Sequence, residues 1–201
     1  ARPSRVRTVV ALGADLAPAE AEAVAAAAAA LGARVHTKGE SLPQGCSHVV
    51  IREGATRLPL RAYFAAAAGC WTVTAAWVFR SLEAGEWACP DEYEARAGGV
   101  REARLARALT GAGPLAGQTV CFWRGSPLPA ATLAALVRCA GGEVSASPRA
   151  CTLIVTDEAD KVPVSVARAA AGAPKAAAPR QPRACEGGRL PTRAVCRAGT
   201  H

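Results

Sequence analysis

Residues 117–158 repeat the pattern of residues 7–53, so the chain must be built from two copies of one unit. GQTVCFW (117–123) parallels RTVVALG (7–13), and ACTLIVTDE (150–158) parallels GCSHVVIRE (45–53). PAATLAALVRCAGGEV (129–144) parallels the helix, closing glycine and second strand of the first copy. The first copy sets out the pattern in full. VRTVVALGA (6–14) reads as a buried strand and 17–31 as a helix, with Pro18 in the first turn, Glu20 and Glu22 near its positive end, and Gly32 after it. Strands follow at 33–37 and 46–51, a helix at 58–68, a strand at 70–74 and a helix at 75–85 closed by Gly85. The order β-α-β-β-α-β-α predicts an α/β fold, a parallel sheet flanked by helices.

The second copy fades towards its end. Residues 163–172 are expected to be its second helix and 174–178 its fourth strand. Pro179, Pro182, Gly187 and Gly188 leave its third helix short or absent. We expect a first domain at 6–94, a linker at 95–114 and a second domain at 115–201. Within the linker, Arg101, Arg104 and Arg107 recur every third residue, a spacing that stripes one helical face for an acidic partner or for solvent.

Composition narrows the classes. The 201 residues include no methionine, which points to a piece of a longer or processed protein. Half the chain (51%) is apolar, enough for a core, and no run reaches the roughly 18 apolar residues of a membrane span. No signal-like apolar segment follows ARPSRVR, so neither secretion nor a membrane is expected. The eight cysteines (46, 70, 89, 121, 139, 151, 185 and 196) form no C-x-x-C pair and the three histidines are scattered, so no metal is expected. They read as free thiols of a reducing compartment. No phosphate-binding glycine loop, nucleophile elbow or H-E-x-x-H is present, so neither an enzyme, a cofactor nor a small-molecule substrate is expected. Residues 1–100 balance ten cations against ten acids, whereas residues 101–201 carry fourteen against six. A basic second half favours a polyanionic partner: a phosphoprotein, or DNA and chromatin.

The first copy resembles a BRCT repeat, and the chain as a whole a tandem BRCT module. The resemblance rests on CSHVVI, on GCWTVTAAWVFRSLEAGEW and on PDEY, with Trp71, Trp77, Ser81, Leu82, Gly85, Trp87 and Tyr93 at the family's positions. The second copy joins through Gly141-Gly142 and TLIVT, with Arg180 near the place of the family's helix-three tryptophan. It implies two repeats, each a four-stranded parallel sheet flanked by helices, the second degenerate at its C-terminal end.

Such pairs commonly bind a phosphoserine or phosphothreonine peptide in the groove between repeats. The resemblance assigns Arg61 and the Gly13 amide to the phosphate, with Ala14 beside them. A guanidinium takes two phosphate oxygens at once, and a helix N-terminus adds amides. The end of strand one, Ala11-Leu12-Gly13-Ala14-Asp15, lacks the family's hydroxyl, which Thr56 or Thr8 would supply. Arg57, Leu58, Tyr63 and Leu128 are expected to line the groove that reads the peptide, at about micromolar affinity, near −8 kcal/mol. The resemblance implies a nucleus-located scaffold of the DNA-damage response or chromosome segregation. The Ala- and Arg-heavy composition hints at a GC-rich genome, and a candidate this chain resembles is the C-terminal BRCT module of a kinetoplastid kinetochore protein. A DNA- or chromatin-binding domain and a ligand-free scaffold are the alternatives. Trp71, Trp77 and Phe79 read as core, and His48 as a satisfied structural histidine.

Overall fold

The computed structural model describes residues 8–123 and 128–156. The first repeat comprises β1 (Val9–Leu12), α1 (Pro18–Ala30), β2 (Arg34–His36), β3 (His48–Ile51), α2 (Leu60–Ala68), β4 (Trp71–Thr74) and α3 (Ala75–Ala84). All of its strands are parallel, in the order β2-β1-β3-β4.

Both sheet faces are covered, which is why the strands read as unbroken apolar runs. Val10, Leu12, Val50 and Val73 point to one face and meet Val24, Ala27 and Ala28 of α1 and Trp77 and Val78 of α3. Ala11, Val49 and Ile51 point to the other and meet Ala62, Ala65 and Ala66 of α2. Alanine on both sides of that second contact lets helix and sheet approach closely. α2 ends at Gly69, whose φ of 81° turns the chain so that Cys70 N–H reaches Ala65 O at 2.8 Å. Trp77 is 1% exposed, and its indole N–H donates to Ala88 O at 2.9 Å. Phe79, expected in the core, instead sits on the outer side of α3, 36% exposed, because the buried face is taken by Trp77, Val78 and Ser81.

Residues 100–110 form a helix, α4 (Val100–Thr110), packed against α2. The three arginines do not form an outward stripe. Arg104 is 7% exposed, paired with buried Glu94 and stacked 3.4 Å from the centre of the Trp71 ring. Arg101 lies 3.5 Å from the same carboxylate. Arg107 donates to Ala67 O at 2.7 Å and to Cys139 O at 3.2 Å. These cations meet acceptors within the chain.

The second repeat restarts with β5 (Thr119–Phe122), α5 (Ala130–Cys139), β6 (Glu143–Val144) and β7 (Leu153–Val155). Its parallel order β6-β5-β7 reproduces β2-β1-β3. The expected second helix and fourth strand, 163–172 and 174–178, lie outside the described residues. α5 packs against α2, and Leu115 N–H donates to Ala140 O at 2.9 Å, tying the new repeat to its approach. Among the described residues no helix is long and apolar enough to cross a membrane.

Candidate functional site

Two candidate regions follow from the topology: the C-terminal end of β1 beside the start of α2, and the seam where α2 meets α5. Gly13 directly follows β1 and is buried, and Arg61 is the second residue of α2. Arg61 is only 3% exposed. Its Nη1 donates to Leu12 O at 2.5 Å and His36 O at 3.3 Å, and its Nη2 to Lys38 O at 2.5 Å and to Gly39 O. Burial pushes its pKa down from the ordinary arginine value. The guanidinium thus gathers the carbonyls that end β1 and β2.

The other donors expected there are also engaged or displaced. Gly13 N–H donates to Val50 O at 2.7 Å. A side-chain carbon on Gly13 would stand 2.4 Å from Asp15 Oδ1, so the Asp15 carboxylate covers that glycine. Asp15 Oδ2 accepts Arg52 N–H at 3.0 Å, while its buried Oδ1 has no hydrogen-bond partner among the described residues. Ala14 and Thr56 are exposed. Thr8 precedes β1 and lines a cavity with His48, Trp71 and Trp87, at the opposite end of the strand from Gly13. It therefore cannot supply the missing hydroxyl.

The seam is assembled differently. Leu58, Tyr63 and Leu128 line one cavity of about 380 Å³, together with Leu60 and Leu136. Three of the four expected groove residues are thus brought together, with Tyr63 38% and Leu128 37% exposed. Arg57 is exposed but is not part of that wall. Gly98 closes against it: a side-chain carbon there would lie 2.9 Å from Leu58 Cδ1 and 3.1 Å from the Tyr63 hydroxyl. On the other side of Leu60 a second cleft of about 450 Å³ runs between Phe64 of α2 and Ala131, Thr132 and Ala135 of α5, with Glu40 at its edge. Leu60 and Leu136 escaped the sequence reading. The apolar positions 133, 136 and 137 of α5 gave a signal, but not which of them faces α2.

The wall of this cavity is apolar, and among the described residues its one ionisable group is the Tyr63 hydroxyl. Among the described residues no three His, Cys, Asp or Glu side chains are grouped to hold a metal ion.

These features define a class: two parallel α/β repeats, joined by a helix, that enclose an apolar seam. This parallel α/β arrangement agrees with the fold that the BRCT resemblance implied. No family model matches the chain, and no curated protein matches it. Solved structures do. BRCT5-BRCT6 of S. pombe Brc1 is 18% identical over 69% of this chain and 66% of that one, with a TM-score of 0.48, so the match spans just under two thirds of the Brc1 chain. The S. pombe Nbs1 FHA-BRCT1-BRCT2 structure is 10% identical over 79% of this chain and 48% of its own, with a TM-score of 0.41. Rad4 BRCT1,2, solved in complex with a Crb2 phosphopeptide, is 15% identical over 77% and 78%, with a TM-score of 0.34.

Proposed function

We propose that this chain is a non-catalytic interaction module of a nuclear scaffold that holds a phosphorylated peptide along the seam between its repeats. The observation that carries the reading is the apolar cavity of Leu58, Leu60, Tyr63, Leu128 and Leu136, to which both repeats contribute. Burying one large apolar side chain there contributes about 1.5–3 kcal/mol, the largest single term the site offers. The phosphate is the smaller term. To take phosphate oxygens, Arg61 must exchange them for the carbonyls of Leu12, His36, Lys38 and Gly39. Trading one set of charge-assisted hydrogen bonds for another leaves little surplus. Leu12 in place of a hydroxyl and the Asp15 carboxylate over Gly13 reduce it further.

Fluorescence polarisation against an oriented peptide library, each peptide made with and without phosphate, tests this. We expect micromolar binding, a phosphate preference below about tenfold, or ~1.4 kcal/mol, and a loss of tenfold or more with Leu128→Glu. Binding that ignores Leu128→Glu would overturn the seam. The absence of any peptide binding would favour a ligand-free scaffold. The nucleic-acid reading rests on the fourteen Lys and Arg of residues 101–201 against six Asp and Glu, and nine of those cations lie outside the described residues. The peptide motif recovered would decide between a scaffold of chromosome segregation, such as a kinetochore, and one of the DNA-damage response.

A further inference from the structure

Cys46 and Cys70 each stand one or two residues ahead of a strand, at the same end of two strands that pair directly. Cys46 precedes Ser47 and β3, and Cys70 directly precedes β4. The ladder between them is closed at this end by Trp71 N–H donating to Ser47 O at 3.0 Å, with His48 opposite Trp71 in register. The register sets Cys70 beside Ser47, with Cys46 one residue back, so the two cysteines are diagonal neighbours on strands about 4.8 Å apart. Cys70 Sγ donates to Cys46 O at 3.1 Å, and the two thiols are close enough to shift each other's pKa. Both side chains are only partly buried, so a small oxidant in solvent can reach them.

The surroundings make the two sulfurs unequal. Arg107, anchored on Ala67 O and Cys139 O, brings its charge to Cys70. The Cys46 hydrogen bond and that charge draw the Cys70 thiol below its ordinary pKa, whereas Cys46 is pushed far up by the same hydrogen bond and by burial. The Arg107 charge favours the ionised form at Cys70, the sulfur assigned the attack, and leaves Cys46 to resolve. The second repeat supplies a contrast. Cys121 and Cys151 are also near enough to influence each other, but are 3% and 0% exposed.

We propose that Cys46 and Cys70 form an oxidant-responsive dithiol, which hydrogen peroxide closes to a disulfide. The Cys70 thiolate attacks one peroxide oxygen; the O–O bond breaks, and the departing hydroxide takes up a proton to become water. The Cys46 sulfur then attacks the sulfenic sulfur of Cys70. The S–S bond forms, the S–O bond breaks, and the hydroxyl leaves with the Cys46 proton as a second water. Each sulfur gives up one electron, and the peroxide takes both. This inference does not depend on the peptide reading.

The test uses the full chain, reduced, desalted, treated with hydrogen peroxide, quenched with N-ethylmaleimide and digested with trypsin without reductant. Cys46 falls in the peptide 39–52 and Cys70 in 62–80, each its peptide's only cysteine. We expect these two joined, two hydrogens lighter than their sum and separated by dithiothreitol, while Cys121 and Cys151 stay reduced. Cys46→Ser should leave Cys70 as a sulfenic acid that dimedone traps. Cys70 joined to Cys139 instead, no link at all, or a 46–70 link no faster than in the urea-unfolded chain would each overturn the proposal. The wild-type map decides it even where the variant fails to fold.

Discussion

Arg104 grips Glu94 with two prongs, Nε to Oε1 at 2.5 Å and Nη2 to Oε2 at 2.9 Å, in a place where both side chains are under 10% exposed. Removing one partner strands the other charge in a poorly solvated site, which costs about 3–5 kcal/mol, whereas replacing both with apolar groups is often nearly neutral. Glu94→Leu should therefore lower the urea midpoint sharply. The pair Glu94→Leu with Arg104→Met should recover more than half of that loss. A double variant as unstable as Glu94→Leu alone would show that the pair's charges are not what holds α4 to the sheet.

His48 links stability to pH. Its ring stacks 4.2 Å from Trp77, and burial pushes its pKa down to about 4. The unfolded chain, with a histidine near 6.5, binds a proton that the folded chain refuses between those values. The stability held by neutral His48 is complete above about pH 6.5, falls as pH drops, and is gone below about 4, a span of roughly 3 kcal/mol at ~1.4 kcal/mol per unit. Urea titrations at pH 7.5, 5.5 and 4 should show the fall, and His48→Gln should flatten it.

Gly113 tests the joint into the second repeat. A side-chain carbon there would lie 2.0 Å from Ala140 O, the acceptor of Leu115 N–H. Neither backbone can give way without losing that bond, so Gly113→Ala should cost at least about 1–3 kcal/mol. Hydrogen exchange should speed up in β5 and β7 while β1 and β3 stay protected.

Arg61→Leu should destabilise the fold by roughly 3 kcal/mol, because four carbonyls lose one shared donor. Arg61→Lys should rescue only part, since an ammonium cannot fork as a guanidinium does. A stable Arg61→Leu protein, read by thermal melting, would mean that these carbonyls are satisfied by water and that Arg61 is free for a ligand.

The strands and helices were legible because apolar period and glycine position change where the structure changes. The run at 9–12 is buried on both faces, and Gly69 and Gly85 sit past the ends of α2 and α3. The seam was legible in part, since Leu58, Tyr63 and Leu128 could be placed by spacing around the starts of α2 and α5. What escaped depends on contacts distant in sequence. Arg61 meets carbonyls 22 to 49 residues away. Glu94 finds Arg104 only after a turn that no local pattern announces. In α1 alanine lies on every face, so the choice of Val24, Ala27 and Ala28 as the buried side is made by the sheet.

Arg107 ties a carbonyl near the end of α2 to one at the end of α5, and those two helices form the walls of the seam. Opening the repeats like a book would break charged hydrogen bonds at the spine, so the slot has a set width before anything enters it. Under the proposed peptide reading, a segment entering this slot would not have to close a hinge, and the slot would act as a gauge, selecting by refusing side chains too bulky to enter.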